Sequence, residues 1–179
     1  PLQILFLNMV TDVFPALALG ASKGHSDVMA QPPRSRRDSI IGKQQWCMIG
    51  FYSLLSTLVV LGSFVLARVW LGMSDTQAVT IAFLVIAIAQ LLHVFNMPES
   101  GAGAIDNEVT RNPYVWIAVA LCGVILAVAM FAPAIASVLS LASIDQRGWL
   151  LVACASSVPL VVGRVYAMAS KACSKKMRF

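Results

Sequence analysis

Asn8, Thr11 and Asp12 set an amide, a hydroxyl and a carboxylate inside an otherwise apolar run. On an α-helix the spacing i, i+3, i+4 puts such side chains on one face, about a turn apart. Three oxygens converging on one point suit a hard cation such as Ca²⁺ or Mg²⁺ rather than a thiolate-seeking metal. Pro15 follows closely, and a proline in a helix interior removes one backbone hydrogen bond and clashes with the preceding turn. The Thr11 carbonyl is therefore expected to lose its usual donor and to be free to act as a ligand. Interrupted helices are one way for a chain to present oxygens at mid-membrane depth. The same cluster also fits a structural role, in which Asn and Thr bond a neighbouring helix and Asp faces a water-filled gap. An intramembrane Asp tilts the balance toward function.

The elements that must position these residues are membrane spans. Of 179 residues, 59% are hydrophobic and 12% charged, and the mean hydropathy is +0.80, far outside the range of a soluble domain. That length holds about five spans of about 20 residues with short loops, and no separate soluble domain. The expected fold is all-α, a polytopic transmembrane bundle with spans near 2–19, 44–70, 78–97, 113–131 and 148–168. The formal charge of +5 gathers in two short clusters beside apolar runs, which reports topology and not nucleic-acid binding. Cys47, Cys122, Cys154 and Cys173 have no metal or disulfide-framework spacing, and three of them fall in spans as small apolar residues. The first residues do not resemble a signal peptide, and with Pro1 as the opening residue a segment of a longer polypeptide is expected.

Between the first two spans, residues 21–43 carry Lys23, Arg34, Arg36, Arg37 and Lys43 around Pro32-Pro33, an extended loop expected on the cytoplasmic side. Trp46 and Trp70 mark the interfaces of the second span, and Arg68 is expected to snorkel into the headgroups. A tight outer hairpin leads to the third span, where Gln90, His93 and Asn96 form a polar stripe. Gln90 is expected to face the first span, and His93 to be a packing residue. Residues 98–112 read as a loop, and the Pro133–Ile144 run as an outer loop at the interface. The last span contains Pro159, and Arg164 is expected to snorkel toward the basic tail of Lys171, Lys175, Lys176 and Arg178. Four crossings separate the basic loop from the basic tail, so both fall on one side, read as cytoplasmic.

The run Pro1 to Asp12, then Pro15 to Gly20, then Val28 to Arg34 resembles the sixth transmembrane helix and following loop of P-type cation-transporting ATPases, calcium-pump branch, in a bacterial version. The similarity continues through Thr80 to Asn96, and five spans match helices six to ten, so it covers nearly the whole chain. The resemblance implies that Asn8, Thr11 and Asp12 are metal ligands, with Asp12 foremost. It also implies that Gln90 stands where two-site calcium pumps carry a Glu ligand, a departure that would weaken one of two sites. Ca²⁺ is the implied cargo, with Mn²⁺ second, exported across an inner (plasma) membrane. Lipid and the missing N-terminal helices and cytoplasmic domains of a parent pump are the implied partners; ATP and Mg²⁺ belong only to that parent. The 21–43 loop would couple phosphorylation to helix movement.

No Asp-Lys-Thr-Gly-Thr motif or Gly-rich phosphate loop occurs in the 179 residues, so no catalytic residue is assigned and ATP hydrolysis by this segment alone is excluded. Two alternatives remain: a free-standing five-span channel or scaffold, and a proton, Na⁺ or Mg²⁺ pump of the same family.

Overall fold

Every apolar run becomes a helix, and what ends each helix is visible in its capping residues. A computed structural model describes residues 2–21, 42–96 and 108–176. The loops expected over 21–43 and 98–112 lie largely outside these, as does Arg178. The first span is α1 (Leu2–Leu7), a wide π turn (Asn8–Asp12) and α2 (Val13–Gly20). The second is α3 (Lys43–Val65), which ends in another π turn, Leu66–Trp70. The third is α4 (Asp75–His93), tightening into a 3₁₀ turn, Val94–Asn96. A short α5 (Glu108–Arg111) precedes α6 (Pro113–Phe131), then α7 (Pro133–Val138) and α8 (Gln146–Lys176). Five helical stretches are long and apolar enough to cross a membrane, and no strand occurs among the described residues. The chain is a multi-pass all-α membrane bundle.

α4 begins at Asp75, ahead of the expected Ala78, because Ser74 closes a capping box. Its Oγ accepts from the Gln77 N–H at 3.3 Å while Gln77 Oε1 accepts from the Ser74 N–H at 3.1 Å. The turn before it needs a positive φ, supplied by Gly72 at 63°. Asn112 caps α6 by accepting from the Tyr114 N–H at 2.9 Å, with Pro113 in the first turn. Asp145 Oδ1 accepts from the Gly148 N–H at 2.9 Å at the start of α8.

α4 lies at the centre of the bundle. Within its span 61% of the positions are buried, against 6% in α3, so α3 turns Leu54, Leu58, Leu61 and Val65 outward. Ile81, Val85 and Ala87 of α4 are fully buried and pack with Val10, Cys122 and Val152 from three other helices. Alanine at 78, 87 and 89 lets neighbours approach closely, which matters where lipid competes equally for apolar contact. Each end of α4 is also tied by polar bonds. On the Ser74 side, Gln77 Nε2 donates to the Ser143 carbonyl at 3.0 Å and Thr80 Oγ1 accepts from the Ala142 N–H at 2.9 Å. At the Asn96 end, Asn96 Nδ2 donates to the Pro159 carbonyl at 3.0 Å, and Arg164 Nη2 to the Phe95 carbonyl at 2.9 Å.

Two sequence expectations are corrected and a third is extended. Arg164 does not reach toward the tail; carbonyls at a helix C-terminus lie outside the helical ladder, and the guanidinium donates to one of them, that of Phe95 in the 3₁₀ end of α4. Residues 133–138 are a helix rather than a loop, since Pro133 stands in its first turn, where no N–H is needed. Arg68 is not merely snorkelling, for it pairs with Asp75 across the hairpin and donates to the Met73 carbonyl at 3.2 Å. That ion pair is half-exposed on one side and largely exposed on the other, so Arg68→Gln is expected to lower stability by less than ~1 kcal/mol. Thermal unfolding of the detergent-solubilised protein checks this; a drop of many degrees would mean the hairpin depends on the pair.

Candidate functional site

The Thr11 hydroxyl is the meeting point of the first and third spans. Thr11 is buried, and its Oγ1 lies 2.8 Å from Gln90 Oε1, 2.9 Å from the Leu7 carbonyl and 3.5 Å from Asp12 Oδ1. Each of those neighbours is an acceptor, and a hydroxyl has one hydrogen to give. Neutral and acidic oxygen donors thus gather around one buried hydroxyl, the donor type that a hard cation takes. Turning the Gln90 amide over would instead present Nε2 to the hydroxyl.

The π turn decides which residues meet. Its backbone bonds run i to i+5, so each residue advances less than the ~100° of an α-helix and three steps fall further short of a full turn. Thr11 consequently points inward to Gln90, while Asn8 and Asp12 sit on the exposed side. The structure thus brings Thr11, Asp12 and Gln90 together around one hydroxyl. Asn8 is carried on the same turn but is exposed and is not among the partners of the Thr11 hydroxyl. The single-face arrangement expected from α-helical spacing is corrected on this point. Pro15 is buried just beyond the turn, where a missing N–H favours departure from regular α-helical bonding.

Cys122 is the residue that sequence reasoning passed over. Its Sγ donates to the Val10 carbonyl at 3.0 Å, inside the π turn, and both residues are fully buried. A thiol in an apolar run carries no signal of such a bond. The interhelical donor thus reaches Val10's carbonyl, one peptide before the Thr11 carbonyl singled out by the proline argument. The polar stripe on α4 also divides three ways. Gln90 meets the first span, His93 lies edge-on to Tyr52 of α3 with ring centroids 4.7 Å apart, and Asn96 reaches α8. His93 is thus a packing residue. Among the described residues no group of three or more His, Cys, Asp or Glu is placed to hold a metal; the oxygens that meet the Thr11 hydroxyl beside that of Asp12 come from an amide and a backbone carbonyl, both neutral.

The comparisons with known proteins agree with one another. Residues 1–169 match the family described as cation transporting ATPase, C-terminus. The chain is 28% identical over 187 residues to calcium-transporting ATPase 1 of Bacillus cereus, an alignment covering 96% of this chain and 21% of that protein. With a calcium-transporting ATPase of Bacillus subtilis the identity is 29% over 160 residues, covering 89% of this chain and 18% of the relative. With calcium-transporting ATPase 1 of Lactococcus lactis it is 30% over 121 residues, covering 68% and 13%. The chain spans about a fifth of the length of the first two relatives. A match that extends from Pro1 to Ser170's neighbour at position 169, over all five spans, leaves the conclusion that this chain belongs to the C-terminal membrane region family of the cation-transporting ATPases.

Proposed function

We propose that this chain supplies part of the intramembrane cation site of an ATP-driven pump, with Ca²⁺ as the cargo and Mn²⁺ as a further candidate. The observation that carries the reading is the convergence at Thr11, where the Gln90 side-chain amide, the Leu7 carbonyl and an Asp12 carboxylate oxygen lie within 3.5 Å of one buried hydroxyl. Relatives named for calcium transport support the choice of cargo. In this reading Asp12 contributes the charge, Thr11 and Gln90 contribute neutral oxygens, and Asn8 ligates from the exposed side of the π turn. Ca²⁺ takes six to eight oxygens at about 2.3–2.6 Å, more than these residues offer. The exposed side of Asn8 and Asp12 is where oxygens from the rest of the polypeptide enter. Loop 21–43 couples the site to phosphorylation on the cytoplasmic side of a plasma membrane. ATP and Mg²⁺ act on the remainder of the pump.

The test is ATP-dependent ⁴⁵Ca²⁺ uptake by vesicles containing the complete polypeptide. Uptake should be saturable and abolished without ATP. Uptake of Na⁺ or acidification in its place, with no Ca²⁺ response, would overturn the assignment of the cargo. Gln90→Glu adds a second carboxylate beside the Thr11 hydroxyl. It is expected to raise Ca²⁺ affinity by about tenfold, as one charge-assisted contact of ~1.4 kcal/mol would, or to raise the ions moved per ATP. An unchanged affinity and transport ratio would count against a ligand role for position 90.

A further inference from the structure

We infer that Cys122 is a positioning residue for the cation site, acting through the Val10 carbonyl; the inference rests on the site proposed above. The carbonyl of Val10 and the N–H of Thr11 belong to one planar peptide unit. A donor that fixes the direction of that carbonyl therefore fixes the plane from which the Thr11 side chain departs. Cys122 Sγ lies 3.0 Å from Val10 O, with both residues wholly removed from solvent and lipid. In such surroundings even a weak donor counts, because both groups are shut off from competing water. A thiol in a helix often bonds back to a carbonyl of its own preceding turn. Here the bond runs to a different helix, 112 positions away in sequence.

The geometry of α6 supports the same role. Asn112 at its start donates from Nδ2 to the Ala18 carbonyl at 3.3 Å, while Cys122 reaches Val10. The two contacts run in opposite chain directions, so α6 lies antiparallel to the first span and holds it on both sides of Pro15. Between them Ala118 is buried against α2, which keeps the helices close. The π turn is thus held on one flank by Gln90 and on the other by Cys122. A π turn is a sparse, locally strained arrangement that persists where its surroundings hold it.

The experiment uses the complete polypeptide with Cys122→Ala and Cys122→Ser. Alanine removes the donor and serine retains one. Cys122→Ala should raise the Ca²⁺ concentration for half-maximal phosphorylation from ATP about three- to tenfold, with the maximal phosphoenzyme level unchanged. Cys122→Ser should stay within about twofold of the unaltered protein on the same scale. A second readout needs no cation: hydrogen–deuterium exchange of the peptide containing residues 9–14 should accelerate in the alanine variant and not in the serine variant. Exchange and half-saturation both unaffected by alanine, or serine behaving like alanine in both, would overturn the inference. Loss of all Ca²⁺ response in the unaltered protein, with exchange still following the thiol, would overturn the proposed cargo while leaving the positioning intact.

Discussion

Asp12→Asn in the complete polypeptide is expected to abolish cation-stimulated phosphorylation from ATP. Of the partners of the Thr11 hydroxyl, the Leu7 carbonyl, Asp12 and Gln90, Asp12 alone is acidic. Asparagine keeps the size and one carbonyl oxygen but loses the charge, which the neutral hydroxyl and amide nearby do not replace. If the carboxylate contributes ~3 kcal/mol or more to holding the cation, the half-saturating concentration rises by at least about a hundredfold. Phosphorylation from inorganic phosphate in the absence of cation should survive, because Asp12 is exposed and its loss removes no packing. That pair of assays separates a lost ligand from a lost fold. Undiminished phosphoenzyme from ATP at ordinary cation concentration would refute the role given to Asp12.

The second large effect concerns α8. Gly163→Ala is expected to destabilise the bundle by about 1–3 kcal/mol, the usual range for overpacking a filled interface. A Cβ at Gly163 would fall inside van der Waals contact of Asn96 Nδ2, Asn96 Cγ and Tyr52 Oη. These neighbours are not free to retreat: Asn96 is bonded to the carbonyls of Pro159 and Leu160 at 3.0 and 3.4 Å, and Tyr52 packs against His93. The melting temperature in detergent should fall by several degrees. Shortening the obstructing side chain in the double variant Gly163→Ala, Asn96→Ser should recover part of the loss, since residues in contact do not act additively. A melting temperature unmoved by Gly163→Ala would show that the α3–α4–α8 junction is looser than its contacts indicate.

The helical bundle was legible from composition, because about 20 apolar residues in water-free surroundings have almost no alternative to a helix. Gln90 facing the first span was legible too, since a polar side chain in an apolar helix needs a partner. The π turn was not. Nothing in Asn8-Met9-Val10-Thr11-Asp12 distinguishes bonding to i+5 from bonding to i+4, so α-helical spacing put Asn8 beside Thr11 when the wider turn separates them. Arg164 misled for a different reason. Its acceptor, Phe95, lies 69 positions away, and only the assembled fold brings it near, whereas headgroups are available to any arginine at a helix end. Cys122 was read as a small apolar residue, which describes its burial correctly and misses its hydrogen bond.

The ties at the two ends of α4 have a mechanical meaning. Gln90 rides on a helix surrounded by neighbours and fastened above to residues 142–143 and below to α8. Thr11 and Asp12 ride on a helix that is interrupted at their own position and open along one side. The first span is tied as well: Gln3 donates to the Leu139 carbonyl, Cys122 to Val10 and Asn112 to Ala18. Both partners of the Thr11–Gln90 contact are therefore clamped from outside it, so the spacing of these oxygens is set by the bundle and not by the contact alone.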